Sequence, residues 1–112
     1  MPDGQALPEQ MRLSLFRIYR EALSNVARHA QARQVWIRFT FDAEQVVLEI
    51  QDDGLGFAVP QRWVELARQG HLGLVGMLER TEASGGQLQL NSAPGAGTLI
   101  RVMMPRSPAS KP

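Results

Sequence analysis

Residues 35–51 read VWIRFTFDAEQVVLEIQ, and the fold turns on this stretch. Val35, Ile37, Phe39 and Phe41 alternate with Trp36, Arg38 and Thr40, a period of two that predicts a strand with one buried face. Asp42-Ala43-Glu44-Gln45 is a short polar connection, and Val46 to Gln51 is a second strand rich in β-branched residues. Two strands joined so closely predict a hairpin. Upstream, from Pro8 to Ala30, the residues Leu15, Phe16, Ile18, Tyr19, Ala22, Leu23, Val26, Ala27 and Ala30 recur at spacings of three and four. No proline or glycine interrupts them, which is the pattern of an amphipathic helix. Its other face carries Arg17, Arg20, Glu21, Ser24, Asn25, Arg28 and His29.

Downstream, Asp52-Asp53-Gly54-Leu55-Gly56-Phe57 ends the second strand in a glycine-bearing turn. Pro60 to Gln69 reads as a short helix with Pro60 in its first turn. Gly70, Gly73 and Gly76 lead into a helix from Leu74 to Ala83, which Ser84-Gly85-Gly86 stops. Gln87 to Ser92 and Thr98 to Met104 are the last two strands, on either side of Ala93-Pro94-Gly95-Ala96-Gly97. The order helix, two strands, two helices, two strands predicts an α+β fold. It is a two-layer α/β sandwich with helices over one face of a mixed, mostly antiparallel sheet. A doubly wound parallel sheet would alternate strand and helix throughout, and this chain does not. The expected boundaries are a flexible tail over 1–8, the domain over 9–105 and a disordered tail over 106–112.

Composition narrows the chemistry. The chain has 112 residues, enough for one domain, and a formal charge of +1 without a basic run, so neither nucleic acid nor a membrane surface is an expected direct partner. The absence of cysteine excludes disulfides, Cys-zinc sites, iron–sulfur clusters and thiol nucleophiles. His29 and His71 are the only histidines, too few for the usual catalytic zinc site. Lys111 is the only lysine, which removes the Walker A phosphate loop. No apolar run reaches the ~20 residues of a membrane span, and the opening lacks the basic and apolar regions of a signal peptide. The expectation is a cytoplasmic domain of a longer protein.

Three features carry chemistry. Glu21, Asn25 and His29 are spaced i, i+4, i+8, with Arg28 on the same side of the helix. A carboxylate and a carboxamide on one stripe suit Mg²⁺ and its phosphates, since Mg²⁺ takes few hard oxygens from protein and the rest from water and phosphate. The plainer reading is a solvated helix face. Asp52-x-Gly54-x-Gly56 sets a carboxylate at a strand end, suited to accept from an exocyclic amine such as that of adenine. The plainer reading there is a turn. Gly70-His71-Leu72-Gly73-Leu74-Val75-Gly76 opens a helix, whose free N–H groups and dipole form a natural phosphate cradle.

Taken together these boxes mean more. Glu21-x-x-x-Asn25-x-x-Arg28-His29-Ala30, Asp52-x-Gly54-x-Gly56-Phe57, Gly73-Leu74-x-Gly76-Met77-x-Glu79-Arg80 and Gly95-x-Gly97-Thr98 stand in this order. The set resembles the ATP-binding catalytic domain of sensor histidine kinases, the Bergerat-type fold shared with gyrase B, a heat-shock chaperone and MutL. The nitrate-sensor subgroup is the best match, over about residues 14–105. The resemblance implies ATP and Mg²⁺ as cofactors. Asn25 is then the metal ligand with Glu21 as its companion acid, and Arg28 and His29 face the phosphates. Asp52 reads adenine, supported by Thr98, and Gly54 and Gly56 let the backbone pass the base. His71, Leu72, Gly73, Leu74 and Gly76 border the phosphates, and residues 58–71 form a lid.

The chain also departs from the pattern. Asp53 stands where many relatives carry Asn, and His71 where Gly is common. Trp63 is the only aromatic between the glycine boxes, so no separate phenylalanine box marks how a lid would dock on a partner. No helical hairpin with an acceptor histidine precedes the first helix, so a catalytic fragment is expected that does not autophosphorylate alone. Its implied partners are the phosphoacceptor and dimerisation domain of the parent kinase and a response regulator, in this subgroup often a DNA-binding one. The alternatives are a stand-alone serine kinase of the anti-sigma-factor type and a nucleotide-sensing module without transfer activity.

Overall fold

A computed structural model describes residues 7–106, except the side chains of residues 29 and 30. Helix α1 spans Glu9–Asn25 and continues as a single π-helical turn over Val26–Ala30, which ends on Gln31 in the left-handed region (φ 51°). Strands β1 (Val35–Phe41) and β2 (Gln45–Asp52) follow. Next come α2 (Val64–Arg68), α3 (Leu72–Ala83), β3 (Gln87–Ser92) and β4 (Thr98–Pro105). The helix expected from Pro60 is reduced to a single short one, because Pro60 to Trp63 make a turn rather than a first helical turn.

The sheet order is β1-β2-β4-β3, and all three pairings are antiparallel. The mixed character expected from the sequence is therefore corrected: among the described residues no strand pairs in parallel. The hairpin over 35–52 forms as expected, with Phe39 opposite Leu48.

Helices α1 and α3 lie together over one face of the sheet. Met11, Leu15, Ile18 and Ala22 of α1, spaced three and four apart, are buried with Leu74 and Met77 of α3. They meet Val46, Leu48 and Ile50 of β2 and Ile100, Val102 and Met104 of β4, the inward set of a period-two alternation. On the outer face, beside Trp36, Val47, Leu99 and Met103, Glu49 bridges Arg38 at 3.1 Å and Arg101 at 3.2 Å across three strands.

Strand β1 departs from its reading. Ile37, Phe39 and Phe41 face the helix side in register with Ile50, Leu48 and Val46, yet every residue of β1 is exposed. It is the edge strand, and the helical layer stops short of it. Arg106, expected to begin a disordered tail, is tied instead to the β1–β2 turn. Its guanidinium donates to the Asp42 carbonyl at 2.7 Å and its N–H to the Glu44 carbonyl at 2.8 Å. Leu7, expected in the flexible N-terminal tail, packs half-buried against the core. Residues 1–6 and 107–112 lie outside the described residues. Within the described residues no helix is long and apolar enough to cross a membrane.

Candidate functional site

Sheet register sets the floor of the site. The row after Ile50, Ile100 and Leu90 places Asp52 opposite Thr98 and Thr98 opposite Ser92. Core alternation continues there, but the residues turn polar at the end of the sheet. Asp52 is only 6% exposed, and its Oδ1 accepts the Gly54 N–H at 2.8 Å. Its other oxygen carries no protein hydrogen bond among the described residues. Beside it, the Thr98 and Ser92 hydroxyls lie 2.9 Å apart, while Ser92 donates to the Gly97 carbonyl and accepts the Phe57 N–H at 2.9 Å.

This row opens into a cavity of about 190 Å³. Its walls are Ala22, Asn25 and Val26 from α1 and the π-turn, Ile50 and Asp52 from β2, and Gly56 and Phe57 from the following loop. His71 and Leu74 of the α3 start, with Thr98 and Ile100 of β4, complete it. A mostly apolar slot with a buried carboxylate at its end suits a flat heteroaromatic ring bearing an amine. Gly56 has φ +65°, and a Cβ there would collide with the Ala93 carbonyl oxygen, so glycine lets the loop pass beneath the β3–β4 turn.

At the mouth stands a charged cluster. The Arg28 guanidinium donates to Glu21 Oε2 at 3.3 Å and to Asn25 Oδ1 at 3.4 Å. Asn25 Nδ2 is buried without a hydrogen-bond partner, an unusual expense in a folded protein. The helix changes to π geometry directly after Asn25, a feature often found at functional sites. Across the cleft, a Cβ on Gly73 would overlap the Glu21 carboxylate, so glycine lets the first turn of α3 approach this acid without displacing it. His71 occupies the N-cap position of α3, and its ring stacks on Phe57, centroids 4.2 Å apart and 20° from parallel.

The structure thus brings most of the expected residues together. Asn25, Asp52, Gly56, His71, Leu74 and Thr98 line the cavity, and Glu21, Arg28 and Gly73 sit at its mouth. Gly54 acts on Asp52 through its N–H rather than as a wall. Leu72 is 68% exposed and Gly76 lies a turn further along α3, neither of them a cavity wall. The side chain of His29 lies outside the described residues. Asp53 takes a structural part: its Oδ1 accepts the N–H groups of Arg33 and Gln34 at 2.9 and 3.0 Å, fastening the loop before β1. Sequence reading passed over Ala22, Val26, Ile50 and Ile100, whose apolar character is indistinguishable from core. Ser92 was findable, since the alternation of Leu88 and Leu90 carries it to the inner face.

No group of three or more His, Cys, Asp or Glu side chains among the described residues could hold a metal ion by itself. Glu21 and Asn25 offer two hard oxygens, which fits a cation that takes its remaining ligands from phosphate and water.

Comparison with known proteins agrees with this geometry. Residues 10–108 match the family described as histidine kinase-, DNA gyrase B- and HSP90-like ATPase. The chain is 34% identical over 102 residues to the signal transduction histidine-protein kinase/phosphatase DegS of Brevibacillus brevis, covering 91% of this chain and 25% of the relative. It is 36% identical over 104 residues to the histidine-protein kinase/phosphatase UhpB of Salmonella typhimurium, covering 93% and 19%. The chain therefore spans about a quarter or less of these relatives. In fold it matches the histidine kinase domain of the Erythrobacter litoralis EL346 blue-light activated histidine kinase, with a TM-score of 0.72 and 24% identity over 89% of this chain and 46% of that one. With the family match spanning nearly all of the sheet, the helices and the cavity between them, the chain belongs to the histidine kinase-, DNA gyrase B- and HSP90-like ATPases.

Proposed function

We propose that this chain is the Mg·ATP-binding catalytic domain of a sensor histidine kinase. In that role it presents the γ-phosphate to a histidine on a separate phosphoacceptor and dimerisation domain. The observation that carries the reading is the buried Asp52 carboxylate at the end of an apolar slot. A carboxylate kept from water gains by accepting from the adenine amine and loses by facing a base that offers an acceptor there. The names of the relatives support the kinase reading over the serine-kinase alternative.

In this reading Thr98 and Ser92 orient the base beside Asp52, while Phe57 and His71 wall it in. Glu21 and Asn25 would hold Mg²⁺, which would neutralise phosphate charge, and the Arg28 guanidinium, which donates to both side chains, stands at the same mouth to face the phosphates. The first-turn N–H groups of α3 and its dipole add fixed positive potential next to them. Phosphoryl transfer asks little covalent work of the protein, so positioning and charge stabilisation carry the catalysis. The partners in this reading are the phosphoacceptor and dimerisation domain of the parent kinase and, after it, a response regulator.

Calorimetric titration with ATP and GTP tests the base assignment. The wild-type chain prefers ATP, and Asp52→Ala lowers ATP affinity by roughly 10- to 100-fold, the value of a hydrogen bond to a charged group, abolishing the preference. An undiminished ATP preference in Asp52→Ala would remove the reading's basis. Adding an acceptor domain in trans with labelled ATP tests the transfer. Label that is lost in acid and kept in base marks phosphohistidine, and the opposite pattern marks the serine-kinase alternative.

A further inference from the structure

Residues 58–70 join the glycine turn after β2 to α3, and the two side chains bounding this segment touch. Phe57 stands immediately before it and His71 immediately after, their rings stacked at 4.2 Å. Each ring is held from a different direction. Phe57 is anchored through its N–H to Ser92 Oγ, and so to the Asp52–Thr98–Ser92 row. His71 begins α3, and its N–H donates at 2.8 Å to the carbonyl of Leu66, whose side chain is fully buried within the segment's own helix, α2. Both rings also form walls of the cavity.

We propose that the Phe57–His71 stack is a clasp that closes the base of the 58–70 segment and couples its order to occupancy of the cavity. The proposal rests on the nucleotide reading above. A stacked pair adds attraction beyond the burial of its two rings, and it joins chain ends that would otherwise meet only at a cost in loop entropy. A base lying in the cavity touches both rings and tightens the clasp. The clasp in turn fixes the Leu66 carbonyl bond and the start of α3, the element that faces the phosphates. Phe57 and His71 act here as positioning residues, through ring stacking rather than through proton transfer.

Tryptic cleavage follows the segment directly. Trp63 lies within it, half-buried against the core, and Arg62 and Arg68 are exposed trypsin sites. The experiment measures calorimetric binding of the non-hydrolysable analogue AMP-PNP with Mg²⁺. It also follows tryptic cleavage after Arg62 and Arg68 with and without the analogue, for the wild type, Phe57→Ala, His71→Ala, the double variant and the ring-keeping His71→Phe. Circular dichroism and nucleotide-free melting certify that each variant is folded. In the wild type AMP-PNP slows cleavage. Each single alanine variant loses about fivefold in affinity, as expected for one aromatic pair, together with most of the protection. The double variant loses less than the sum of the two single losses, because the stack is shared between them while each ring's own contact with the base is not. His71→Phe restores protection.

Affinity losses that add in the double variant, full protection in Phe57→Ala, or a His71→Phe as impaired as His71→Ala would each overturn the clasp. Bound AMP-PNP with unchanged cleavage in the wild type overturns the clasp alone. An absence of binding heat in the wild type overturns the nucleotide reading beneath it.

Discussion

Asp52 and Asp53 are adjacent in sequence and opposite in purpose. Asp52 points inward at the end of the sheet and spends one oxygen on the Gly54 N–H, keeping the other for the cavity. Asp53 points outward and gives one oxygen to two backbone donors. Those bonds, from Gln34 foremost and then Arg33, hold the Asp53 carboxyl below the ordinary carboxylate range. A depressed folded value means that this contribution to stability is complete above the unfolded pKa near 3.9 and fades as pH falls through the folded value. Thermal melting of wild type and Asp53→Ala should therefore differ most at neutral pH, and the gap should narrow as pH falls below about 4. A gap independent of pH would show that the two bonds do not depend on the charge of Asp53. An Asn at this position would keep the same acceptor geometry, and Asp adds a charge that the two N–H groups favour.

At the scale of elements, β1 and β2 share a period-two alternation and have opposite environments. Leu48 of β2 is 4% exposed, and its partner across the hairpin, Phe39 of β1, is 46% exposed. Truncation should register that difference. Leu48→Ala is expected to cost about 2–5 kcal/mol, the range for a buried leucine that leaves a cavity. Phe39→Ala should cost about 1 kcal/mol or less, because half of that ring already faces water. Urea denaturation measures both, and equal losses would mean that β1 is covered in solution. Alternation in β1 was legible in the sequence, but its burial was not. A period of two says which side chains share a face, not whether a helix lies over that face.

For the molecule as a whole, the site exists only where four elements converge: the end of α1, the end of β2, the start of β4 and the start of α3. Ligand binding at such a junction stabilises the whole fold by mass action, by about 2.7 kcal/mol at 100 times the Kd. ATP with Mg²⁺ should raise the melting temperature of the wild-type chain, and EDTA should reverse most of the rise. Asn25→Ala discriminates between fold and function. Its removal takes away a buried amide nitrogen without a partner at the loss of one long, exposed hydrogen bond from Arg28, so the nucleotide-free chain should melt close to the wild-type temperature. The Mg²⁺-dependent part of the shift should vanish. A shift of undiminished size in Asn25→Ala, with its loss in EDTA intact, would place the metal elsewhere.

The sequence by itself determined the element order, the inward and outward faces of β2 and β4, and the four boxes that mark the family. These follow from local periodicity and from residue types that few other environments demand. Tertiary structure alone decided which apolar residues are core and which are cavity wall, since Ile50 and Ile100 differ from Val46 and Val102 only in what lies opposite them. It also decided that β1 is an uncovered edge, that Asp53 fastens a loop, and that Phe57 meets His71 across residues 58–70. Contacts between residues far apart in the chain depend on how whole elements pack, and no local pattern encodes that distance.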